Sequence, residues 1–456
     1  MMEMHKNSSS FRDPSGFVFV EDETVYRQIN QEYFCEYDRL MTSGLYDKLV
    51  AKNMLVSHTE IKKYPDKIII QPNTINFITY PYEWAFSQYK DAALLTLDIQ
   101  KLALEHDMTL KDASAFNVQF VGSVPEFIDT LSFEMHTNGN GWNAYGQFCR
   151  HFLAPLLLMS KVDLSLNKLM LLNLDGIPLL LATKLLPKSA MFSPLVFIHL
   201  YLHAKMENNS VQSDDKKVKI SKYGLLGIID QLQSIIKNLK LKTNKTEWSD
   251  YYSNDGNNYT DNSFSFKKEM IVKWANEISP KKVVDIGANT GVFSEIFSSN
   301  SECFVLSCDI DTLAVEKNYI RNKNVHNLLP LIVDISNPTP AVGYDNLERE
   351  SFIHRVCTLK ADVVLALAVI HHLRITSGIP LSKLAELFAK ISSEYLIIEF
   401  VPKSDSMVVG MLSSREDIFD EYDSVVFEDI FSGFFTIVDK DNVVNSDRIL
   451  YRMKKK

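Results

Sequence analysis

The sequence predicts an α/β protein in two parts, an α+β domain over residues 1–212 and a second domain over 251–456 built on a parallel sheet. Three stretches carry that expectation. In Lys281–Ser294, the apolar run Val283, Val284 and Ile286 has the length of a buried strand, Gly287 to Gly291 a tight turn, and Val292 to Phe297 helical spacing. A strand, turn and helix in that order bring backbone N–H groups and a positive helix end to the carboxyl edge of a sheet, where a nucleotide-like ligand can lie. About 20 residues further on, the apolar run Phe304 to Cys308 ends in Asp309, an acid placed to accept both hydroxyls of a ribose. Between the halves, Glu207–Lys217 is polar and without periodicity, which marks a boundary.

A chain of 456 residues exceeds one ordinary core, and 46% hydrophobic with 23% charged residues describes a globular protein. The net charge of −9 argues against duplex nucleic acid as the main partner, because a phosphate backbone calls for a basic face. Five cysteines, Cys35, Cys149, Cys303, Cys308 and Cys357, show no Cys-x-x-Cys spacing and fit reduced thiols in a cytoplasm, with no metal site expected. The apolar runs Phe152–Met159 and Ile177–Ala182 are shorter than the roughly 18 residues a membrane span needs, so a cytoplasmic location without a membrane span is expected.

In the first half, Phe17–Val20 and Thr24–Ile29 flank the turn Glu21–Glu23 as a hairpin. A helix from about Gln31 to Asn53 carries Tyr33, Tyr37, Leu40, Leu45 and Leu49, with a break near Ser43–Gly44. Ile68–Ile70 and Asn76–Tyr80 read as a second strand pair, and Trp84–His106 as a long helix. Then Asp112 and Asn117 stand in a polar loop, followed by a turn at Gly122–Pro125 and by Asp129. Arg150 and His151 read as helix-face residues, and Asp175–Pro178 as a turn.

Asp112, Asn117 and Asp129 resemble the catalytic loop and metal-binding aspartate of the protein kinase-like and aminoglycoside phosphotransferase-like fold. The resemblance implies ATP and magnesium in this half, Arg27 in the place of the small lobe's lysine, and Glu36 as its partner. Departures stand beside it: no glycine-rich loop precedes Phe17, and Arg27 is not a lysine. The alternatives are a solvated loop, a kinase-like fold without activity, or an active phosphotransferase.

Residues 213–250 are expected to hold the linker and an amphipathic helix, with Leu225, Ile229, Leu232, Ile236 and Leu239 at intervals of four and three. Eight lysines between Lys216 and Lys245 suit either a solvated face or an anionic partner. Beyond it, a helix over Phe264–Ile278 precedes strands at 283–286, 304–308, 328–333, 361–368 and 395–400, with a last pair at 434–438 and 448–453. Asp311 is placed to cap the helix that starts near Thr312.

The motif Asp285-x-Gly287-x-x-x-Gly291, followed by a strand ending in Asp309, resembles the S-adenosylmethionine site of class I methyltransferases rather than a dinucleotide fingerprint, whose third glycine is missing. That resemblance implies a Rossmann-like, seven-stranded mixed sheet over 251–456. It also implies that Asp285, Gly287, Ala288, Asn289, Gly291, Asp309 and Ile310 line the cofactor, with Asp334 and Ile335 at its adenine. Asn289 stands where a glycine is usual; asparagine is among the few residues that tolerate a left-handed backbone. Trp248, Tyr252 and Tyr259 are candidates to cap the cofactor, or packing anchors in a connecting segment. With Tyr80–Trp84 and Lys111–Asn117 in the same chain, the layout looks like a bacterial family of long methyltransferases that includes a nodulation host-specificity protein.

The acceptor is less legible. After strand four there is neither an Asn/Asp-Pro-Pro-Tyr motif for a base amine nor a Pro-Cys for a pyrimidine carbon; His371 and His372 stand there instead. Either could take the proton of a hydroxyl, or merely pack, and Glu399 at the end of strand five is a further candidate. The expected activity is methylation of a hydroxyl on a small-molecule or glycan-type acceptor. The alternatives are a bifunctional methyltransferase/phosphotransferase and a non-catalytic S-adenosylmethionine-binding adaptor. The oligomeric state is open.

Overall fold

A computed structural model describes residues 5–7, 9–209, 219–241, 261–413 and 416–456, and the chain divides into two units. The first comprises residues 1–121, 125–243 and 341–349, the second 122–124, 244–340 and 350–456.

The first unit opens with strands β1 (His5–Lys6), β2 (Gly16–Glu21) and β3 (Thr24–Asn30). Helices α1 (Phe34–Thr42) and α2 (Leu45–Ala51) follow, divided at Gly44, which is left-handed at φ +78°. Strands β4 (His58–Lys63) and β5 (Lys67–Pro72) complete an antiparallel sheet in the order β1-β2-β3-β5-β4. The partners of Ile68–Ile70 are therefore β3 and β4, and not 76–80 as the sequence predicts. In 76–80 side chains satisfy backbone groups instead: Thr79 N–H donates to Gln119 (2.7 Å) and Tyr80 N–H to Glu83 (3.0 Å).

Helix α3 (Phe86–Glu105) follows, its buried positions mostly apolar, with Gln88, Thr96 and Gln100 among them. It leads to β6 (Met108–Leu110), a loop, the hairpin β7 (Val118–Val121) and β8 (Val124–Phe127), and β9 (Phe133–Met135), which returns to pair with β6. Helical segments complete the unit: α4 (Tyr145–Phe148), α5 (Ala154–Lys161), α6 (Leu169–Leu172), α7 (Leu179–Leu185), α8 (Pro194–Val196), α9 (His203–Asn209) and α10 (Lys222–Asn238). The stripe Leu225, Ile229, Leu232 and Ile236 of α10 is buried, and the helix packs on α3, tied by Lys101 to Asp230 (2.8 Å) and Gln233 to Asp98 (2.6 Å).

The second unit begins with α11 (Asp261–Ile278) and alternates strand and helix: β10 (Lys282–Ile286), α12 (Ser294–Ser298), β11 (Phe304–Asp309), α13 (Thr312–Arg321), β12 (Leu328–Ile332), α14 (Phe352–Leu359), β13 (Ala361–Ala366), α15 (Leu381–Ile391) and β14 (Ser392–Phe400). Helices α16 (Ser406–Leu412) and α17 (Ser424–Ser432) precede the pair β15 (Phe435–Asn442) and β16 (Ile449–Lys455). The sheet order is β12-β11-β10-β13-β14-β16-β15, parallel up to β14, with β16 antiparallel to both neighbours. This is the mixed seven-stranded sheet of a class I methyltransferase fold. Its central strands read as continuous apolar runs because helices cover both faces, and Val283, Val305, Val363 and Ile397 share one core with Ile271 and Trp274 of α11. The chain order reverses between β10 and β13, so the carboxyl edge opens there into the crevice where such sheets bind ligands.

Candidate active site

The turn after β10 has left-handed backbone at Gly287 (φ +74°), Asn289 (φ +51°) and Gly291 (φ +80°). Asn289 thus takes up the conformation for which glycine is the usual residue. Gly287 and Ala288 donate to the Cys308 carbonyl (2.8 and 2.9 Å), and Asn289 N–H donates to Asp309 Oδ2 (2.6 Å), which draws the turn against the end of β11. A Cβ on Gly287 would lie 2.1 Å from Cγ2 of Val369, and one on Gly291 2.4 Å from Nδ2 of Asn318. Both positions therefore exclude any side chain, and the first brings the turn against the loop that follows β13.

Asp309 is held by backbone N–H groups, including that of Asp311 to Oδ1 (2.8 Å), and burial pushes its carboxyl up to about 6. An ionised carboxylate offers about four lone-pair sites, so these bonds leave acceptor capacity for a hydroxyl donor. Ile310 beside it is 56% exposed, an apolar surface at the rim suited to a flat ring. Asp311 caps α13 as expected, accepting from Leu313 and Ala314. Beyond β12, Asp334 accepts Ser336 N–H (2.9 Å), Ser336 O–H (2.6 Å) and Asn337 N–H (3.3 Å), all on Oδ1, and Ile335 is buried next to it.

Asp285 has a different place. It is buried behind the turn, accepts Ser294 Oγ (2.6 Å), and joins a chain of polar side chains running through Ser307 to Asn318 (2.8 and 2.9 Å). Burial pushes its carboxyl up to about 7. It braces strand, turn and helix from behind.

After β13 the chain passes through Ala368, left-handed at φ +54° although it is not glycine, before Val369 and the two histidines. Strain of this kind persists where surrounding structure enforces it. His371 is buried, its Nδ1 has no hydrogen-bond partner among the described residues, and its ring centre lies 4.2 Å from that of His372. Burial, reinforced by His372, Arg448 and Lys267, holds the His371 imidazole far below its usual range. Burial and Arg448 push His372 down to about 4. Both rings are therefore neutral near pH 7, and their surroundings oppose proton uptake.

Glu399 does not stand at the cleft edge. It is fully buried at the end of β14, paired with Lys267 Nζ (2.5 Å) and near Arg448 (3.8 Å), whose guanidinium also grips Asp405 (2.7 and 3.1 Å). A carboxylate so enclosed needs its cations to offset desolvation, and it serves as an internal counter-charge. Lys267, Arg448 and Ala368 went unnoticed in the sequence. Lys267 left one signal: it falls on the apolar stripe Phe264, Ile271 and Trp274 of α11, where a lysine must be buried or paired. Tyr252 and Tyr259, with Trp248, lie outside the described residues.

In the first unit, the loop between β6 and β9 gathers Asp112, Asn117 and Asp129. Asp112 accepts Ser114 N–H (2.8 Å) and Gln147 Nε2 (2.9 Å), while Asn117 donates to Ser132 Oγ (3.2 Å). Asp129 forms an ion pair with Arg27 and accepts from Ser132 Oγ and Leu131 N–H. Against the cost of burial, Arg27 and these donors hold Asp129 below the usual carboxylate range, whereas burial and the nearby Asp129 raise Asp112. The partner of Arg27 is thus Asp129 and not Glu36. Among the described residues no group of three His, Cys, Asp or Glu side chains is placed to hold a metal ion.

No protein-family model matches the chain. Nodulation protein NoeA of Rhizobium meliloti (strain 1021) is 34% identical over 466 residues, an alignment covering 98% of this chain and 96% of that protein. The chain belongs to the NoeA family. Among solved structures, the N-methyltransferase NodS of Bradyrhizobium japonicum WM9 aligns at 13% identity and a TM-score of 0.31, covering 43% of this chain and 97% of its own. Magnesium protoporphyrin IX methyltransferase of Synechocystis PCC 6803 aligns at 14% and 0.30, covering 42% and 80%. What defines the fold of this NoeA-family chain is its own strand order and glycine turn.

Proposed function

We propose that the chain is an S-adenosylmethionine-dependent methyltransferase acting on a hydroxyl of a small-molecule or glycan-type acceptor. The observation that carries this reading is the turn Gly287–Gly291, side-chain-free at two positions and tied to Asp309 at the switch point of the sheet. The residues fit the cofactor: Asp309 would accept from ribose hydroxyls, Ile310 and Ile335 would flank the adenine, and Asp334 would meet its amine with the oxygen that Ser336 and Asn337 leave. S-adenosylmethionine, when bound, supplies a methyl group on a sulfonium sulfur, already activated for displacement.

The chain's own part is to orient the acceptor hydroxyl and to take its proton. The candidates for that step are His372, half-buried after β13, and His371, buried beside it; the cations Lys267 and Arg448 disfavour protonation of these rings, so the developing charge on the bound acceptor has to offset them. Aligning a hydroxyl within roughly 3 Å of the reacting carbon accounts for most of the rate such an enzyme needs. For the first unit we assign a kinase-like fold without phosphoryl transfer, supported by its element order and by Arg27 engaging the one aspartate that a magnesium ion would need.

Calorimetry of S-adenosylmethionine binding tests the proposal. The wild type should bind at micromolar concentrations and Asp309→Ala should not, with the fold intact by circular dichroism. Unchanged binding by the variant overturns the site. The acceptor follows from comparing metabolites and glycans of cells with and without the gene for pairs differing by one methylene in mass.

A further inference from the structure

The first unit has an apolar face that its own core does not use. Helix α7 buries Leu179 and Ala182, with Leu186 buried just beyond its end, and turns Leu181, Lys184 and Leu185 outward. The helical stretch 197–209 packs beside it, burying His199, Leu200 and Ala204 and exposing Phe197, Leu202, Lys205 and Met206. Between them Phe192 is 85% exposed. Large apolar side chains gathered in this way are unusual on a water-facing surface and mark an interaction site.

Charge indicates what covers the face. Residues 161–209 contain five lysines, Lys161, Lys168, Lys184, Lys188 and Lys205, against Asp163, Asp175 and Glu207, the last paired with Arg150, in a chain whose net charge is −9. Lys184 and Lys205 lie within the exposed helix faces themselves and Lys188 in the turn between, and none of these three has an ion-pair partner among the described residues. A second copy of the chain docked here by two-fold symmetry would set these lysines against their own kind. Anionic lipid headgroups would meet the ammonium groups while the leucine and phenylalanine side chains enter the acyl boundary, the division of labour of an interfacial helix. No helix of the described residues is long and apolar enough to cross a membrane.

We propose that the face formed by α7, the 188–192 turn and the helical stretch 197–209 seats the protein on an anionic membrane surface. It lies in the interface plane, with the apolar side chains inserted and the lysines at headgroup level. The inference is independent of the methyltransferase reading.

Co-sedimentation of the full chain with vesicles of phosphatidylglycerol and phosphatidylcholine, against phosphatidylcholine alone, tests it. Binding should favour the anionic vesicles and weaken as salt screens the lysines. Leu181→Ser with Phe192→Ser should lower it at least about tenfold by removing inserted apolar area. Lys184→Glu with Lys188→Glu should lower it by a similar factor, at roughly 1 kcal/mol for each lysine. All four side chains are exposed, so both pairs should melt like the wild type. Failure of the wild type to bind anionic vesicles at low salt overturns the proposal. So does binding that neither pair weakens, or a dimer in sedimentation velocity that the serine pair converts to monomer without any vesicle binding.

Discussion

Asp309 and Asp129 are both aspartates just at or beyond a strand end, both largely buried, and both held by backbone N–H groups, yet they are left in opposite states. Among the described residues no cation stands against Asp309, and burial raises its carboxyl to about 6. Asp129 has Arg27 against it and stays below the usual range. A strand-end acid with spare acceptor capacity is ready for a ligand's hydroxyls. One already neutralised by a guanidinium has been given an internal partner in place of an external one. The pair shows why the residue at a motif position says less than the charge placed opposite it.

The strongest way to break this contrast is steric. Gly287→Val combines a left-handed φ with a Cβ that would lie 2.1 Å from Val369, so it should cut S-adenosylmethionine affinity at least about a thousandfold in calorimetry. Retained affinity would remove the turn from the site. Next in size, Arg27→Ala leaves Asp129 buried and unpaired and should destabilise the first unit by about 3 kcal/mol, read as a lowered denaturation midpoint. If Mg-ATP instead raises the melting temperature of the wild type by several degrees, in a way that Asp129→Ala abolishes, then Asp129 is open and the contrast fails.

A pH series sharpens the other side. Asp309 is ionised above about pH 6 and takes up a proton below it, losing its acceptor character. Cofactor affinity should therefore fall as pH drops through 6, approaching about tenfold for each unit. His372 stays neutral down to about 4, so if it is the base, kcat should hold its value until well below the ordinary histidine range. An acid limb in kcat near 6.5 would argue against it. The smallest effect belongs to Asn289→Gly: the backbone conformation is retained and the Asn289 Oδ1 bond to Thr290 N–H is lost, so stability should change by less than about 1 kcal/mol.

The second unit was legible because its strands are covered on both faces and read as plain apolar runs. Val283–Ile286, Phe304–Cys308 and the helix Leu381–Ile391 stand where periodicity puts them. The turn of the candidate site was legible as far as its backbone is special, with left-handed conformations at Gly287, Asn289 and Gly291. Glu399 was misplaced because a strand-end acid looks the same in sequence whether it meets solvent or a lysine. Its partners Lys267 and Arg448 lie 132 residues before it and 49 after it, and only the fold brings the three together. The first unit yielded its hairpin and long helices, but β4 escaped because His58–Lys63 is polar and exposed along nearly its whole length.

That polarity has a consequence of its own. As the outermost strand of its sheet, β4 carries a row of backbone groups that another chain's strand could extend, the start of aggregation. Glu60, Lys62 and Lys63 set charge along that edge, and the register shift between Glu60 and Lys62 interrupts the flat ladder an incoming strand would need. A more hydrophobic β4 would have been easier to recognise in the sequence, and would have left the sheet open to a neighbouring molecule.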